Sequence, residues 1–364
     1  MNPLKRLWQK QRQAVWLDFI ERDLLTGGGL ARYVADDGVR GVTSNPSIFQ
    51  KAIEGGGPYD DAVAGLLADD PGMTTVALYE ALAVADIQSA ADILRPVWDE
   101  SKGGDGYVSL EVSPHLARDT AGTVAEAKRL WQRVGRPNLM IKVPATAEGI
   151  PAIEGLIGDG INVNATLMFS LADYEAVATA YLRGLVANAN PAGVASVASF
   201  FVSRVDTKVD AALEAIGTPE ALALRGQAAI ANAKLAYRRF GELFGPDAFS
   251  PQSERGAMVQ RPLWASTSTK NPDYRDVIYV EELIGPDTVN TLPVATLEAF
   301  RDHGEPRPSL LEDVTGAEGV FAKLAEEGVD IDAITAELQV EGVDAFANSF
   351  DQLLDALDEA RTGP

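Results

Sequence analysis

The chain contains no cysteine and only two histidines, His115 and His303, among its 364 residues. The missing cysteines exclude disulfides, thiolate metal sites and cysteine nucleophiles. With two histidines, a histidine-rich metal centre and a Ser-His-Asp triad are both disfavoured. No stretch reaches the roughly 18 consecutive apolar residues of a membrane span, and no apolar core of a secretion signal follows the basic N-terminus. We therefore expect a cytoplasmic protein without a membrane span and without a cysteine- or histidine-rich metal site.

Positive charge is also scarce, with 31 Lys and Arg against 53 Asp and Glu and a net charge of −22. Nucleic acids and anionic membranes repel such a field, so neither is an expected partner. An anionic small substrate would need a local basic pocket. Hydrophobic residues make up 46% of the chain, which is enough for a large core. Because the sequence shows no repeat and no low-complexity linker, we predict one domain over residues 1–364.

Apolar runs of strand length alternate about eight times with helical patterns, which predicts a (β/α)8 TIM barrel. An open, doubly wound sheet is the alternative. The acidic tail, 305–364, ends in an amphipathic pattern that predicts a C-terminal helix packed on the barrel. A surface loop is expected at 245–256. Strands are predicted at 15–19, 39–44, 107–112, 139–143, 161–168, 194–202, 258–266 and 288–292. Helices are predicted at 28–37, 74–100, 120–134, 147–158, 170–188, 204–242, 273–284 and 294–302.

The stretch 138–145, Asn-Leu-Met-Ile-Lys-Val-Pro-Ala, predicts a buried strand with a lysine in its middle. Side chains alternate along a strand, so Met140 and Lys142 face away from the apolar residues that flank them. A lysine in these surroundings must extend to solvent, meet a carboxylate or lose its proton. A desolvated, uncharged lysine is a good nucleophile toward a carbonyl and forms a Schiff base. A solvent-facing lysine on an edge strand is the structural alternative.

Polar side chains occupy every second position of two further predicted strands. Ser109 and Glu111 alternate with valine and leucine, and Asn162, Asn164 and Thr166 alternate with apolar residues along another strand. An open antiparallel sheet shows this pattern when one face is wet. In a parallel barrel with helices outside, the polar stripe must point into the barrel, where water is scarce. A converging set of such side chains indicates a polar functional site.

More polar side chains lie at the ends of the other predicted strands. Arg204 and Lys270 follow strand ends, where barrel enzymes bind substrate phosphates. Each residue also has a structural interpretation, such as a helix cap for Asp18, a turn before proline for Asn45 and an ion pair for Arg204. Together with Glu111 and Lys142 they bring carboxylates, hydroxyl binders, one amine and two cations to one barrel mouth. The set comprises Asp18, Asn45, Ser199, Phe201, Arg204, Ser266, Ser268 and Lys270.

These segments resemble the transaldolase family, and in particular its longer bacterial subgroup. The matching motifs follow the family's order from residue 17 to residue 271, and 343–357 resembles the family's last helix. The resemblance implies a TIM barrel that moves dihydroxyacetone from sedoheptulose 7-phosphate to glyceraldehyde 3-phosphate in the pentose phosphate pathway, giving erythrose 4-phosphate and fructose 6-phosphate. It implies no metal or cofactor. The motifs are 17–18, 41–47, 108–112, 140–144, 162–170, 198–204 and 266–271.

The resemblance also implies a role for each site residue. Lys142 forms the Schiff base, and Glu111 acts as acid and base through a water that Thr166 helps to hold. Asp18 handles the proton of the hydroxyl at the bond that breaks. Lys270 departs from the family, since many transaldolases have arginine there, and a lysine lacks the bidentate fork of arginine. The residues that would bind or support the substrate are Asn45, Ser109, Asn164, Ser199, Phe201, Arg204, Ser268 and Lys270.

Three other functions stay open from the sequence. The nearest is a fructose 6-phosphate aldolase, which releases dihydroxyacetone to water; such chains are shorter and tend to carry Tyr and Gln where this chain has Phe201 and Glu111. An apolar Phe201 should leave the enamine less readily protonated, which favours transfer. A barrel that only binds sugar phosphates and a metal-dependent aldolase are the other two, although no ligand cluster for a metal is seen. We expect a monomer or a homodimer.

Overall fold

Eight parallel strands close into a barrel in chain order in the computed structural model, which describes residues 2–362. Strand β1 pairs with β8 as well as with β2, and this closure rules out the open, doubly wound sheet. All eight predicted strands are present, with bounds shifted by up to three residues. The predicted TIM barrel is therefore confirmed. The strands are β1 (Gln13–Leu17), β2 (Val39–Val42), β3 (Tyr107–Glu111), β4 (Leu139–Pro144), β5 (Val163–Met168), β6 (Ser196–Phe201), β7 (Arg261–Ala265) and β8 (Thr288–Leu292).

Helices surround this barrel, and several of them begin at side chains that satisfy free backbone N–H groups. Thr74 accepts from the N–H of Ala77, and Ser170 accepts from that of Asp173. Short 3-10 or π turns occur at Tyr33–Asp37, Pro114–Leu116, Pro191–Gly193 and Ser309–Leu311. The α-helices are α1 (Pro3–Gln11), α2 (Arg22–Thr26), α3 (Gly29–Arg32), α4 (Pro46–Glu54), α5 (Pro58–Asp69), α6 (Thr75–Glu100), α7 (Thr120–Val134), α8 (Gly149–Gly158), α9 (Leu171–Ala187), α10 (Ser203–Ile216), α11 (Pro219–Leu222), α12 (Ala228–Phe244), α13 (Pro246–Ser253), α14 (Ile278–Glu281), α15 (Val294–His303), α16 (Val314–Glu326) and α17 (Ile331–Thr362).

Some predicted helices and loops were wrong. The single helix predicted over 204–242 is three helices, because α10 ends at Gly217 in the left-handed conformation and Thr218 caps α11. The loop predicted at 245–256 contains α13, which has Pro246 in its first turn and Pro251 inside it. Only four residues of the helix predicted at 273–284 form α14. Helices α1, α4 and α5 were not predicted at all.

The N-terminal end of the barrel is closed by a charged layer around the fully buried Asp105. Its carboxylate accepts hydrogen bonds from Trp16 Nε1 at 2.8 Å and from Arg40 Nε at 2.9 Å, and Arg261 lies 3.4 Å away. TIM barrels carry their active sites at the opposite end, where the strands finish.

The last helix, α17, lies across that opposite end and packs against α4, α6 and α10. Phe346, Phe350 and Leu353 point from it into the core, as the amphipathic pattern predicts. The Gln339 amide donates to the backbone carbonyl of Ala145 at 3.0 Å. The predicted C-terminal helix is therefore confirmed on the barrel; the last two residues of the acidic tail, Gly363 and Pro364, lie outside the described residues. None of the helices within 2–362 combines the length and apolarity needed to cross a membrane.

Candidate active site

A cavity of about 280 Å³ opens at the C-terminal end of the barrel, under α17. It gathers side chains from seven strand ends and three helices, far apart in the sequence. Most of the predicted site residues line it. The lining residues are Asp18, Thr43, Asn45, Ser47, Ile48, Lys51, Lys142, Thr166, Ser199, Phe201, Arg204, Ala265, Ser266, Ser268, Lys270, Thr291, Pro293 and Phe346.

Lys142 reaches the floor of this cavity from the middle of β4 and is only 4% exposed. Its Nζ lies 3.1 Å from Glu111 Oε2 and donates to the backbone carbonyl of Ser44 at 3.2 Å. The Phe346 ring covers it, with its centroid 5.3 Å from Nζ, so α17 supplies one wall around the amine. The alternative of a solvent-facing lysine is therefore wrong, and Lys142 instead forms an ion pair with Glu111.

Glu111 is the neighbour of Lys142 across the β3–β4 ladder and is almost fully buried. Neither of its carboxylate oxygens has a hydrogen-bond donor among residues 2–362, since the contact with Lys142 is a close ion pair without the angles of a hydrogen bond. Burial raises the pKa of Glu111, while the charge of Lys142 opposes that rise. Such a carboxyl, next to an amine and with spare acceptor capacity, suits proton transfer.

Asp18 follows β1 directly and lines the cavity. Thr43 Oγ1 donates to its carboxylate at 2.6 Å, and the hydroxyls of Thr43 and Thr291 lie 2.7 Å apart. Burial raises the pKa of Asp18, whereas the Thr43 hydrogen bond and the charge of Lys142 lower it. The predicted alternative, a helix cap, is wrong because Glu21 holds the cap position of α2.

These two raised pKa values predict a pH dependence. A base must be ionised to take a proton, so activity should fall as the pH drops through the raised carboxyl pKa values. We expect the acid limb of kcat/KM to lie above pH 4.5, the ordinary value for glutamate, rather than near the 3.8 of aspartate. A pH–rate profile measured alongside circular dichroism separates this limb from acid unfolding. A limb at or below 4.5 in folded protein would contradict the assignment.

A hydrogen-bonded row lies beneath the cavity. Ser199 Oγ donates to Asn164 Oδ1 at 2.6 Å, and the Asn164 amide donates to Ser109 Oγ at 3.0 Å. Asn164 also neighbours Lys142 across the β4–β5 ladder. Asn164 and Ser109 are fully buried and, unlike Ser199, do not line the cavity, so their positions favour a supporting role. Direct substrate contact by these two residues stays a prediction.

Asn45 and Thr166 line the cavity itself. Asn45 Oδ1 caps α4 by accepting from the N–H of Ile48 at 2.9 Å, which confirms its turn role before Pro46. Its amide nitrogen makes no hydrogen bond to another residue of 2–362, so it is available to a substrate hydroxyl. The Thr166 hydroxyl is buried and likewise has no partner in the described chain.

The wider end of the cavity is basic. Arg204, the second residue of α10, lies with its guanidinium carbon 5.5 Å from the Phe201 ring centroid. Lys270 Nζ donates to Ser268 Oγ at 2.7 Å. Neither cation has a carboxylate within ion-pair distance among residues 2–362, so the ion pair considered for Arg204 is absent. Burial lowers the pKa of Arg204, and the charge of Glu341 opposes this shift.

Sequence reasoning missed several residues of this site. Lys51, on the exposed face of α4, adds a third cation that has no ion pair within the described chain. Thr43 and Ser44 stand inside the motif that contains Asn45, and that motif was the signal that could have found them. Phe346 was expected on the apolar face of the C-terminal helix, but no local sequence pattern predicts that its ring covers Lys142.

Three other residues considered from the sequence lie elsewhere. Asn162, assigned to the polar stripe, is below the site, where its amide donates to the carbonyls of Pro137 and Leu139. His115 pairs with Asp351 of α17 at 2.7 Å. His303 ends α15 and pairs with Asp276 and Asp302. Within 2–362, no three His, Asp or Glu side chains come together as a metal ion would require. That the reaction uses no metal stays a prediction.

Comparison with known proteins agrees with this geometry. Residues 15–357 match the family model for transaldolase/fructose-6-phosphate aldolase. A transaldolase of Thiobacillus denitrificans is 53% identical, with 94% of this chain and 96% of the relative covered. Transaldolases of Parafrankia sp. and Mycolicibacterium smegmatis are 51% and 48% identical, covering 95% and 94% of this chain and 95% and 93% of the relatives. The chain therefore belongs to the transaldolase/fructose-6-phosphate aldolase family.

Proposed function

We propose that the protein is a transaldolase that carries dihydroxyacetone on Lys142 between sugar phosphates. The observation that carries this proposal is that Lys142 lies at the floor of a barrel-mouth cavity with its Nζ 3.1 Å from Glu111 Oε2. An amine beside a carboxylate can lose its proton and attack a ketone, and the family membership supplies the reaction class. Of the two activities that the family name joins, the names of the relatives favour transaldolase.

The reaction begins when the uncharged Nζ of Lys142 adds to the ketose carbonyl. Glu111 supplies and removes the protons needed for water to leave and an iminium to form. The iminium then draws the electron pair of the C3–C4 bond, while Asp18 takes the proton of the C4 hydroxyl and the aldose phosphate departs. The three-carbon enamine stays bound until it attacks the aldehyde of the next aldose phosphate, whose oxygen takes the proton from Asp18. Hydrolysis of the new iminium frees Lys142.

Buried polar atoms without hydrogen-bond partners support the role that these steps assign to a water molecule. Glu111 Oε1 and the hydroxyl of Thr166 lack hydrogen-bond partners within residues 2–362, and Glu111 Oε2 has only its ion pair with Lys142. Buried groups of this kind are costly unless a water or a substrate satisfies them. We assign them to the water through which Glu111 acts.

The basic end of the cavity is assigned to the substrate phosphate. Arg204, Lys270 and Lys51 line one cavity without a carboxylate partner, in a chain of net charge −22. Ser268 adds a hydroxyl, and the N-terminus of α10 favours negative charge there. Asn45 and Ser199 are assigned to the sugar hydroxyls, and Ser109 and Asn164 to holding Lys142 and Ser199 in place.

The alternative function is a fructose 6-phosphate aldolase, and one measurement separates the two. Phe201 lines the cavity with a ring that can neither donate nor relay a proton to the enamine. We expect free dihydroxyacetone to form from fructose 6-phosphate at least about a hundredfold more slowly than transfer to erythrose 4-phosphate, a difference of about 2.7 kcal/mol in barrier. Assaying free dihydroxyacetone with and without the acceptor checks this. Release as fast as transfer would favour the aldolase.

We also propose that residues 1–364 form a single domain, that the protein works as a monomer or homodimer, and that it is cytoplasmic. The closed barrel with α17 packed across it supports one domain. The absence of cysteine suits a reducing compartment.

A further inference from the structure

The phosphate end of the cavity is built from two separate segments. Arg204 lies in the first turn of α10, whereas Ser268 and Lys270 lie in the segment 266–277, here called the phosphate loop. Apart from turns, the phosphate loop has no regular secondary structure. The position of the phosphate loop relative to α10 sets the distance between Lys270 and Arg204. Both cations can therefore bind the same phosphate only if the loop is fixed relative to α10.

Two tyrosine–aspartate hydrogen bonds connect these segments. Tyr274, near the end of the phosphate loop, donates its hydroxyl to Asp210 Oδ2 at 2.6 Å. Tyr279, which follows the loop in α14, donates to Asp206 Oδ2 at 2.7 Å. Asp206 and Asp210 are one turn apart on α10, the helix that carries Arg204. Both hydrogen bonds therefore connect the phosphate loop and α14 to α10.

Each aspartate is also held by a backbone N–H from a third segment. Asp210 Oδ1 accepts from Gly226 at 2.9 Å, and Asp206 Oδ1 accepts from Ala229 at 2.7 Å. Asp206 is 1% exposed and Asp210 is 7% exposed, so these carboxylates cannot turn to solvent. Burial raises the pKa of Asp206 to about 6. A carboxylate fixed from one side is a rigid anchor for the tyrosine on the other.

The two tyrosine–aspartate hydrogen bonds are not needed to join the ends of the strands. The neighbouring ends of β6 and β7 are already joined, since the N–H of Ser203 donates to the carbonyl of Ser266 at 2.9 Å and their hydroxyls are 2.9 Å apart. The tyrosine bonds act further out, beyond Lys270. Burial, together with Asp210, raises the pKa of Tyr274, so its phenol stays a donor throughout the working pH range.

We propose that Tyr274 and Asp210 are positioning residues that set the spacing of the cations around the substrate phosphate, with Tyr279 and Asp206 as the inner pair. This inference rests on the proposed function, because it assigns the basic end of the cavity to phosphate. Neither tyrosine lines the cavity, and both act through Lys270 and Ser268. The consequence is selective: loosening the loop weakens binding of phosphorylated acceptors and leaves the chemistry at Lys142 alone.

The test is Tyr274→Phe, which keeps the ring against Gly226 and removes only the hydroxyl. We expect KM for glyceraldehyde 3-phosphate to rise about tenfold, the size of effect that loss of one hydrogen bond to a charged group gives, with kcat nearly unchanged. KM for unphosphorylated glyceraldehyde should stay within about twofold. A purely structural role would lower the melting temperature and change both acceptors alike.

Tyr59→Phe is the matched control. Tyr59 also donates to a buried aspartate, Asp86, at 2.8 Å, but this pair joins α5 to α6 and does not line the cavity. The control should lose similar stability and show no preference between the two acceptors. Equal effects of Tyr274→Phe on both acceptors, no effect at all, or the same selectivity in Tyr59→Phe would overturn the inference.

Titration with inorganic phosphate, followed by calorimetry, separates this inference from the proposed function. It needs no turnover, and we expect Tyr274→Phe to bind phosphate about tenfold more weakly than wild type and Tyr59→Phe to bind it normally. If wild type bound phosphate but transferred nothing, the proposed function would fail and the titration would still decide the role of Tyr274. If wild type bound no phosphate, the inference would fall.

Discussion

Replacing Lys142 by methionine is expected to reduce transfer to the background rate, a loss of about 10⁴-fold or more, equal to about 5.4 kcal/mol or more in barrier. Methionine fills a similar volume but has no amine, so no Schiff base can form. Treating wild type with fructose 6-phosphate and borohydride should leave a reduced three-carbon adduct on the peptide that contains Lys142. In Lys142→Met the protein mass should not change. Intact-mass and peptide mass spectrometry make both measurements.

Two variants control this experiment. Lys142→Arg keeps a positive charge beside Glu111 but supplies no nucleophilic amine, so loss of activity there cannot be ascribed to an unpaired buried carboxylate. Lys234→Met removes another buried lysine, which donates to the carbonyl of Glu312 outside the cavity, and should keep both adduct and activity. An adduct that persists in Lys142→Met, or maps to another lysine, would refute the mechanism. A barrel that only binds sugar phosphates would show no adduct even in wild type.

Asp18→Asn is expected to separate Schiff-base formation from carbon–carbon cleavage. The amide keeps the shape of the carboxyl and a hydrogen-bond acceptor for Thr43, but it cannot take the C4 hydroxyl proton. We expect kcat for transfer to fall about 10²- to 10⁴-fold, the usual contribution of a positioned acid or base. Trapping with dihydroxyacetone and borohydride should still label Lys142, since forming that imine needs Glu111 and not Asp18. Steady-state kinetics and mass spectrometry on one preparation give both values.

A milder variant at the same site and a control variant outside the cavity test the assignment of Asp18. Thr43→Val removes the hydroxyl that donates to Asp18 at 2.6 Å and should lower kcat by about tenfold, the loss of one hydrogen bond to a charged group. Asp86→Asn changes a buried aspartate outside the cavity and should leave kcat unchanged at temperatures where it is folded. If Asp18→Asn abolished the adduct together with transfer, Asp18 would belong to imine formation instead. Full activity would remove it from the mechanism.

The interior placement of the site was predictable because strand alternation is a local property. Lys142, Glu111, Asn164 and Thr166 sit at every second position of strands between helical segments, and in a closed parallel barrel only one face can take them. Arg204 and Lys270 were predictable for the same reason, since both follow strand ends. The helix patterns were less reliable: the division of 204–242 depends on two glycines with positive φ, Gly217 and Gly226, which an apolar period does not show.

The sequence by itself determined the alternation of strands and helices, the shared face of Lys142, Glu111, Asn164 and Thr166 along their strands, and a terminal helix with one apolar side, because all three follow from repeats of two or 3.6 residues. That the sheet closes into a barrel was decided by the pairing of β1 with β8. Only the tertiary structure decided that Phe346 covers Lys142 from about 200 residues away, that Lys51 joins the cations, and that Asp210 anchors Tyr274. These contacts join elements with no common local pattern. Their partners are chosen by how α17, α4 and the phosphate loop pack on the barrel, and packing is a property of the whole chain.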